Sequence, residues 1–347
     1  MITVGREQLL NELEAVSPGL SPKGVTEQSN YYVFSEGRVF TFNDEIACSH
    51  KSSLGKKMTG AVLASPLVSL LGKMEEDEIG LDPAGDVLRV KGKNKTATIT
   101  MQADVKLDVS EIGKPETDYR DLPEEFLEGL KMVAECASDD QSDFRYTCIH
   151  FMPKAIEATD NWQVGRFVIP TGFSESVLIR KTAVRHIVNL EVTQIAEGRA
   201  WMHFKAGKDL TMACRVARNE EYPKLKQVFD VTGAKAQLPK GLKDAVERAS
   251  VFFDDDKSEY VRVQIENGRL RMRTTQTARS VGCYQESRKI VYDGPPMEFV
   301  ISARLLADIS EKYVECTIGE GRLVVDGGRF KFLTLLKPPK EKEADDV

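Results

Sequence analysis

Three amphipathic segments recur along this chain at almost constant spacing: "REQLLNELEAV" from Arg6, "PEEFLEGLKMVAECA" from Pro123 and "PKGLKDAVERASVF" from Pro239. Their starts, at positions 6, 123 and 239, lie 117 and 116 residues apart. Self-similarity at a fixed period decides architecture before any single motif does, because each copy must be one supersecondary unit. In the third segment Leu242, Ala245, Val246 and Ala249 follow the i, i+3, i+4, i+7 pattern of a helix with one buried face. Pro123 and Pro239 suit the first position of a helix, where a missing N–H costs nothing, and are expected there.

A second helix is expected in the latter half of each repeat: "SPLVSLLGKM" from Ser65, "RKTAVRHIVNL" from Arg180 and "SARLLADISEKY" from Ser302. Two alternating strand-like runs follow each one, joined at Ala84-Gly85, Glu197-Gly198 and Glu320-Gly321, as hairpins require. The reading is an α+β chain of three copies of one module, each with two helices packed on antiparallel sheets. The boundaries fall at 1–117, 118–231 and 232–338, with an acidic tail at 339–347 that reads as disordered.

An apolar fraction of 41% supplies real cores, and 29% charged residues argue against extensive disorder. No run of about 18 apolar residues suggests a membrane helix, and "MITVGREQLLNELEAV" places acids where a signal peptide needs an apolar core. Six widely spaced cysteines without a C-x-x-C pair read as reduced and mostly buried, so a cytoplasmic setting is expected.

The stretch "EATDNWQVGRF" lies between the helices of the second repeat, where the first has "VFTFNDEIACS" and the third "LRMRTTQTARSVGC". All three read as strand, polar turn, strand. Asp160 is paired in this reading with Asp44 but has no counterpart in the third repeat, where Gln276 or Thr277 lies nearby. A position at a repeated turn points to turn chemistry rather than catalysis. Nothing else suggests an enzyme. The four histidines show no metal-ligand spacing, no phosphate loop or nucleophile elbow occurs, and the acidic clusters lack the spacing of a calcium loop. No cofactor, metal or catalytic residue is expected.

The formal net charge of −6 excludes a globally basic nucleic-acid binder but not a local basic surface. Arg180, Lys181 and Arg185 surround the apolar stripe of one helix, and Lys240, Lys243 and Arg248 lie off the stripe of another. Acids concentrate in the loops. Such segregation suits a polyanion held through its phosphates, without sequence preference.

Three α+β repeats of this size, "FRYTCIHF" ahead of "EATDNWQV", then "EEYPKLKQVF" and an apolar strand near the C-terminus, resemble the bacterial-type DNA sliding clamp. That family is the beta subunit of the replicative polymerase, and the resemblance extends to about Pro338. It implies a head-to-tail homodimeric ring around double-stranded DNA, a processivity factor for a replicative DNA polymerase placed by a clamp loader. Carried over, Arg180, Lys181, Arg185, Lys240, Lys243, Arg248 and the loop residue Lys23 become DNA-facing. Val251, Phe252 and Phe253 become the dimer interface. A hydrophobic groove for partner proteins carrying short clamp-binding peptides is implied at Cys148, Thr159, Asn161, Trp162, Gln163, Val164, Pro223, Gln227, Val228, Leu333, Leu335 and Leu336. Asn161-Trp162-Gln163-Val164 stand where the family commonly has Gly-His-Arg-Leu, and the chain continues past the last strand. The first departure, at a partner site, suggests a divergent, phage-encoded member serving its own polymerase. The competing expectation is a monomeric β-rich adaptor that binds peptides without encircling DNA.

Overall fold

A computed structural model of the protein describes residues 1–21, 26–107, 112–218, 220–253, 259–275, 282–292 and 294–336. One order of elements recurs three times. The first copy runs β1 (Ile2–Gly5), α1 (Arg6–Val16), β2 (Tyr31–Ser35), β3 (Arg38–Phe42), β4 (Ile46–Lys51), β5 (Gly60–Leu63), α2 (Ala64–Leu71), β6 (Glu78–Ala84), β7 (Val87–Lys91) and β8 (Thr96–Gln102). The second is β9 (Arg120–Asp121), α3 (Phe126–Ala134), β10 (Cys148–Met152), β11 (Ala155–Thr159), β12 (Gln163–Val168), β13 (Val177–Arg180), α4 (Lys181–Asn189), β14 (Gln194–Glu197), β15 (Trp201–Ala206) and β16 (Leu210–Arg215). The third is β17 (Ala234–Gln237), α5 (Leu242–Ser250), β18 (Tyr260–Glu266), β19 (Arg269–Thr274), β20 (Gln285–Lys289), β21 (Met297–Ser302), α6 (Ala303–Lys312), β22 (Glu315–Gly319), β23 (Arg322–Gly327) and β24 (Phe330–Leu335).

Periodicity explains the elements. In α1 the buried residues are Leu9, Glu12, Leu13 and Val16, one stripe of a 3.6-residue helix, and α5 buries the four positions expected of it. Along β19 exposed and buried residues alternate, Arg269, Arg271 and Arg273 outward and Leu270, Met272 and Thr274 inward. Both prolines fall outside their helices: α3 begins at Phe126, after a turn in which Phe126 N donates to Pro123 O, and α5 begins at Leu242. Gly241, left-handed at φ 78°, caps α5 instead, a conformation proline cannot supply.

The chain forms two compact units, Met1–Leu127 with Thr182–Arg218, and Glu128–Lys181 with Asn219–Val347. The first contains one twelve-stranded sheet in the order β1-β6-β7-β8-β5-β2-β3-β4-β16-β15-β14-β9. The second contains an eight-stranded sheet, β13-β10-β11-β12-β24-β23-β22-β17, and a four-stranded one, β20-β19-β18-β21. Their compactness follows sheet continuity rather than chain order, because each long sheet is stitched across a repeat junction. In one unit β4 runs antiparallel to β16 from Ile46–Cys214 to His50–Leu210. In the other β12 pairs with β24 from Gln163–Thr334 to Phe167–Phe330.

Within the second unit the C-terminal part of α3 lies very close to β12. A Cβ on Gly129 would stand 2.4 Å from the Phe167 ring, and one on Gly165 2.7 Å from Cys136 Sγ. Among the described residues no helix is long and apolar enough to cross a membrane.

Candidate functional site

The turn between β11 and β12 is built by its own side chains. Asp160 Oδ1 accepts from Trp162 N at 2.9 Å and Gln163 N at 2.8 Å, and Oδ2 accepts from Gln163 Nε2 at 3.1 Å. Thr159 Oγ1 donates to Gln163 O at 2.8 Å and accepts from Asn161 N at 3.1 Å. Asn161 takes the left-handed conformation, φ 73°, that Asn tolerates better than most residues. Burial raises the Asp160 carboxyl above its usual range, and the amide donors oppose that rise.

The first unit repeats the device one residue out of the expected alignment. Asn43 Oδ1 accepts from Glu45 N and Ile46 N, and Asp44 carries the positive φ, 67°. Asn43 is therefore the counterpart of Asp160, and Asp44 that of Asn161. The sequence pairing of Asp160 with Asp44 matched residue type instead of turn position. Gln276 and Thr277 lie outside the described residues.

The residues expected to form a groove divide into two groups. Val164 and Leu333 face each other across the β12–β24 ladder and pack with Leu225, Phe229 and Val324, with Val228, Tyr222 and Val231 at the margin. Thr159 is tied to this group by its N–H donating to Tyr222 Oη at 3.0 Å. Cys148 on β10 is fully buried. Leu225 and Phe229 were missed because their segment reads as a polar connection, yet they fill the apolar surface from above. Pro223 and Leu336 are half-buried, and Asn161 and Gln227 are exposed.

Trp162, Gln163 and Leu335 belong instead to an open cleft of about 240 Å³, completed by Tyr260 and Arg262 of β18 and by Glu298, Phe299 and Val300 of β21. Leu335 N donates to Trp162 O at 2.8 Å, which fixes the rim. Arg262 pairs with Glu298 across the β18–β21 ladder. Gln163 Nε2 also reaches Glu135 O, and its Oε1 is buried without a hydrogen-bond partner. Burial pushes the Tyr260 phenol well up. No local signal marked the β18 and β21 residues, since more than ninety residues separate them from Trp162.

The basic residues are less uniform than their helical positions suggested. Arg185, Lys240 and Lys243 are exposed, and Lys243 is paired with Glu311 at 3.0 Å. Arg248, also exposed, is held by Glu286 at 2.7 Å and Tyr284 Oη at 2.8 Å. Arg180 lies over the Phe144 ring at 4.8 Å and donates to Gln141. Lys181 corrects the expectation. It is only 4% exposed, and its ammonium donates to Ala137 O at 2.8 Å and Asp139 at 3.1 Å. As the first residue of α4 it turns inward to satisfy a loop carbonyl, which leaves no charge directed at a polyanion. Lys23 and the tail at 339–347 lie outside the described residues.

At the end of α5, Val251 is 73% exposed. Phe252 and Phe253 are half-buried, and Phe252 stacks on Tyr284 at 6.2 Å between centroids. Tyr284 directly precedes β20. Among the described residues no cluster of three or more His, Cys, Asp or Glu side chains is placed to hold a metal ion.

No protein-family model and no curated protein sequence matches the chain. Solved structures do. A sliding clamp of Pseudomonas aeruginosa, the DNA polymerase III subunit beta bound to griselimycin, superposes with a TM-score of 0.72 at 14% identity, covering 97% of this chain and 98% of that one. A DNA polymerase III beta subunit of Thermotoga maritima gives 0.71 at 14% identity, with the same coverage. A putative DNA polymerase III beta subunit of Eubacterium rectale gives 0.73 at 13%, again over 97% and 98%. At full length, this chain has the α+β fold of the bacterial DNA polymerase III beta sliding clamps.

Proposed function

We propose that the protein is a DNA sliding clamp, a non-enzymatic homodimeric ring around duplex DNA that tethers a replicative polymerase. One observation carries this reading: the fourth strand of a repeat is continued by the last strand of the next. β4 is continued by β16, and β12 by β24. By the same rule β20 should be continued by β8, yet among the described residues β20 pairs only with β19. Meanwhile β8 meets β5 only at Val62–Met101 and Ala61–Gln102. A second copy of the chain resolves both vacancies, its β8 completing β20 head to tail. Two copies then close six modules, 1–117, 118–231 and 232–338 in each chain, and Val251, Phe252 and Phe253 fall beside the joint. An open ladder edge next to exposed apolar residues is otherwise a liability.

Function follows from closure. A ring holds DNA topologically, so Arg180, Arg185, Lys240, Lys243 and Arg248 need supply only weak, salt-sensitive phosphate contacts. That suits a chain of net charge −6 whose basic residues are partly neutralised by Glu286 and Glu311. The β12–β24 end docks peptides of the polymerase, the loader that opens the ring, and other partners. The working place is the bacterial cytoplasm, on nucleoid or infecting-phage DNA.

The test is solution mass by light scattering across a dilution series. Twice 38.7 kDa for the wild type, falling to one chain in Phe252→Glu with Phe253→Glu, is the expected result. Retention on circular but not linearised DNA then follows. A single-chain mass at every concentration overturns the ring and leaves a monomeric β-rich peptide adaptor.

A further inference from the structure

The cleft beside the β12–β24 ladder joins two demands that one side-chain type meets. Its rim is apolar: Trp162, Val300 and Leu335 are 55%, 40% and 36% exposed, large hydrophobic groups that converge on one place in the second unit. Its polar groups need donors. Arg262 and Glu298 neutralise each other, which leaves Asp160 as the uncompensated charge among the described lining residues. The donors that reach Asp160 are the amides of Trp162 and Gln163. Burial raises its carboxyl, as expected where no cation offsets desolvation. The Gln163 amide is oriented by its Nε2, which donates to Asp160 Oδ2 and Glu135 O, and its Oε1 is left buried and unpartnered in a residue that lines the cleft. A buried acceptor of this kind gains most from a donor brought by a ligand.

We propose that this cleft takes an arginine side chain of a docked partner peptide, its guanidinium lodged between the Trp162 indole and the Asp160–Gln163 pair. A guanidinium is planar, stacks on an indole face and carries five N–H donors in a fixed fork. A lysine ammonium is more strongly hydrated and less suited to stacking, and an aliphatic or acidic residue brings Gln163 Oε1 no donor and Asp160 no counter-charge. At about 240 Å³ the cleft is smaller than an ordinary small-molecule site and suits one side chain. The inference rests on the reading that this end of the molecule docks peptides, and it adds the chemistry that selects them.

The chain has two tryptophans, and Trp201 is only 2% exposed, so an indole N–H spectrum isolates Trp162 once Trp162→Phe assigns it. The probes are acetylated and amidated Gly-Leu-Phe-Arg-Gly and its citrulline and leucine analogues, followed by that spectrum and by calorimetry. The arginine peptide should move the Trp162 signal and bind about tenfold tighter than the citrulline isostere. Asp160→Asn, which keeps the turn's acceptor oxygen, should erase that preference while the Trp201 signal stays in place. If Asp160→Asn disturbs the Trp201 signal, Trp162→Leu replaces it, and lost arginine preference is again the expected result. Equal binding of the three peptides with a Trp162 shift overturns the arginine assignment and leaves peptide docking intact. Binding heat without a Trp162 shift overturns the location. No binding by any peptide at millimolar concentration overturns the inference and the docking reading with it.

Discussion

The two seams that join repeats have the same topology and opposite surfaces. At β4–β16 the neighbouring tryptophan, Trp201, is buried with Phe42, Ala47 and Ala213, and Arg215 lies over its ring at 5.0 Å. At β12–β24 the tryptophan is Trp162, in the turn itself and 55% exposed beside a cleft. Both turns use one acceptor side chain and one left-handed residue, so backbone geometry does not distinguish them. What differs is whether the ring is packed in the core or stands at the surface. One seam keeps its tryptophan inside, and the other carries it on the surface at the rim of a cleft.

The sharpest test exchanges each ring for a methyl group. Trp201→Ala should cost about 3–5 kcal/mol, as for large aromatic truncations in cores, read as a lower denaturation midpoint of the first unit. A change under about 1 kcal/mol would break the contrast at once.

A second difference is titratable. His203, on β15 next to the closed seam, is 6% exposed, and its Nε2 has no hydrogen-bond partner. Burial lowers its pKa from 6.5 to about 4. A depressed histidine is neutral when folded and protonates in the unfolded chain below pH 6.5. The unfolded state thus binds more protons between pH 6.5 and 4, and stability falls as pH falls through that window, by about 3 kcal/mol at most. His150, on β10 of the sheet that holds the other seam, instead hydrogen-bonds Glu157 at 3.0 Å. Replacing His203 with Gln should flatten the acid limb of a melting-temperature profile. An unchanged profile would remove this residue from the comparison.

Turn acceptors come next. Asn43→Ala and Asp160→Ala should each cost roughly 1–2 kcal/mol, since each strands two backbone N–H groups, measured by denaturant titration. Unequal losses would show that the turns are alike in form only. The smallest expected effect is Trp162→Ala, within about 0.5 kcal/mol of wild type in the same titration. A larger loss would mean that the exposed ring supports the fold after all.

Much of this was legible because the relevant signals are local. The 3.6-residue stripe of α1 and α5 and the alternation in β19 need no tertiary context. Lys181 was misjudged because helical position says which face a residue occupies, and the first residue of a helix can still bend back to a loop such as Ala137–Asp139. The cleft was half-read: Trp162, Gln163 and Leu335 belong to motifs, whereas Arg262 and Glu298 meet them only through sheet order. Leu225 and Phe229 were hidden in a segment whose charges, Lys224 and Lys226, mask two buried anchors.

Stitching across repeats also sets a timetable for synthesis. Residue 46 of β4 waits for residue 214 of β16, and residue 163 of β12 waits for residue 334 of β24. At ordinary ribosomal speeds each edge is therefore unsatisfied for roughly ten to thirty seconds. The two intervals overlap while residues 163–214 are made, when a chaperone covering β4 and β12 would matter most.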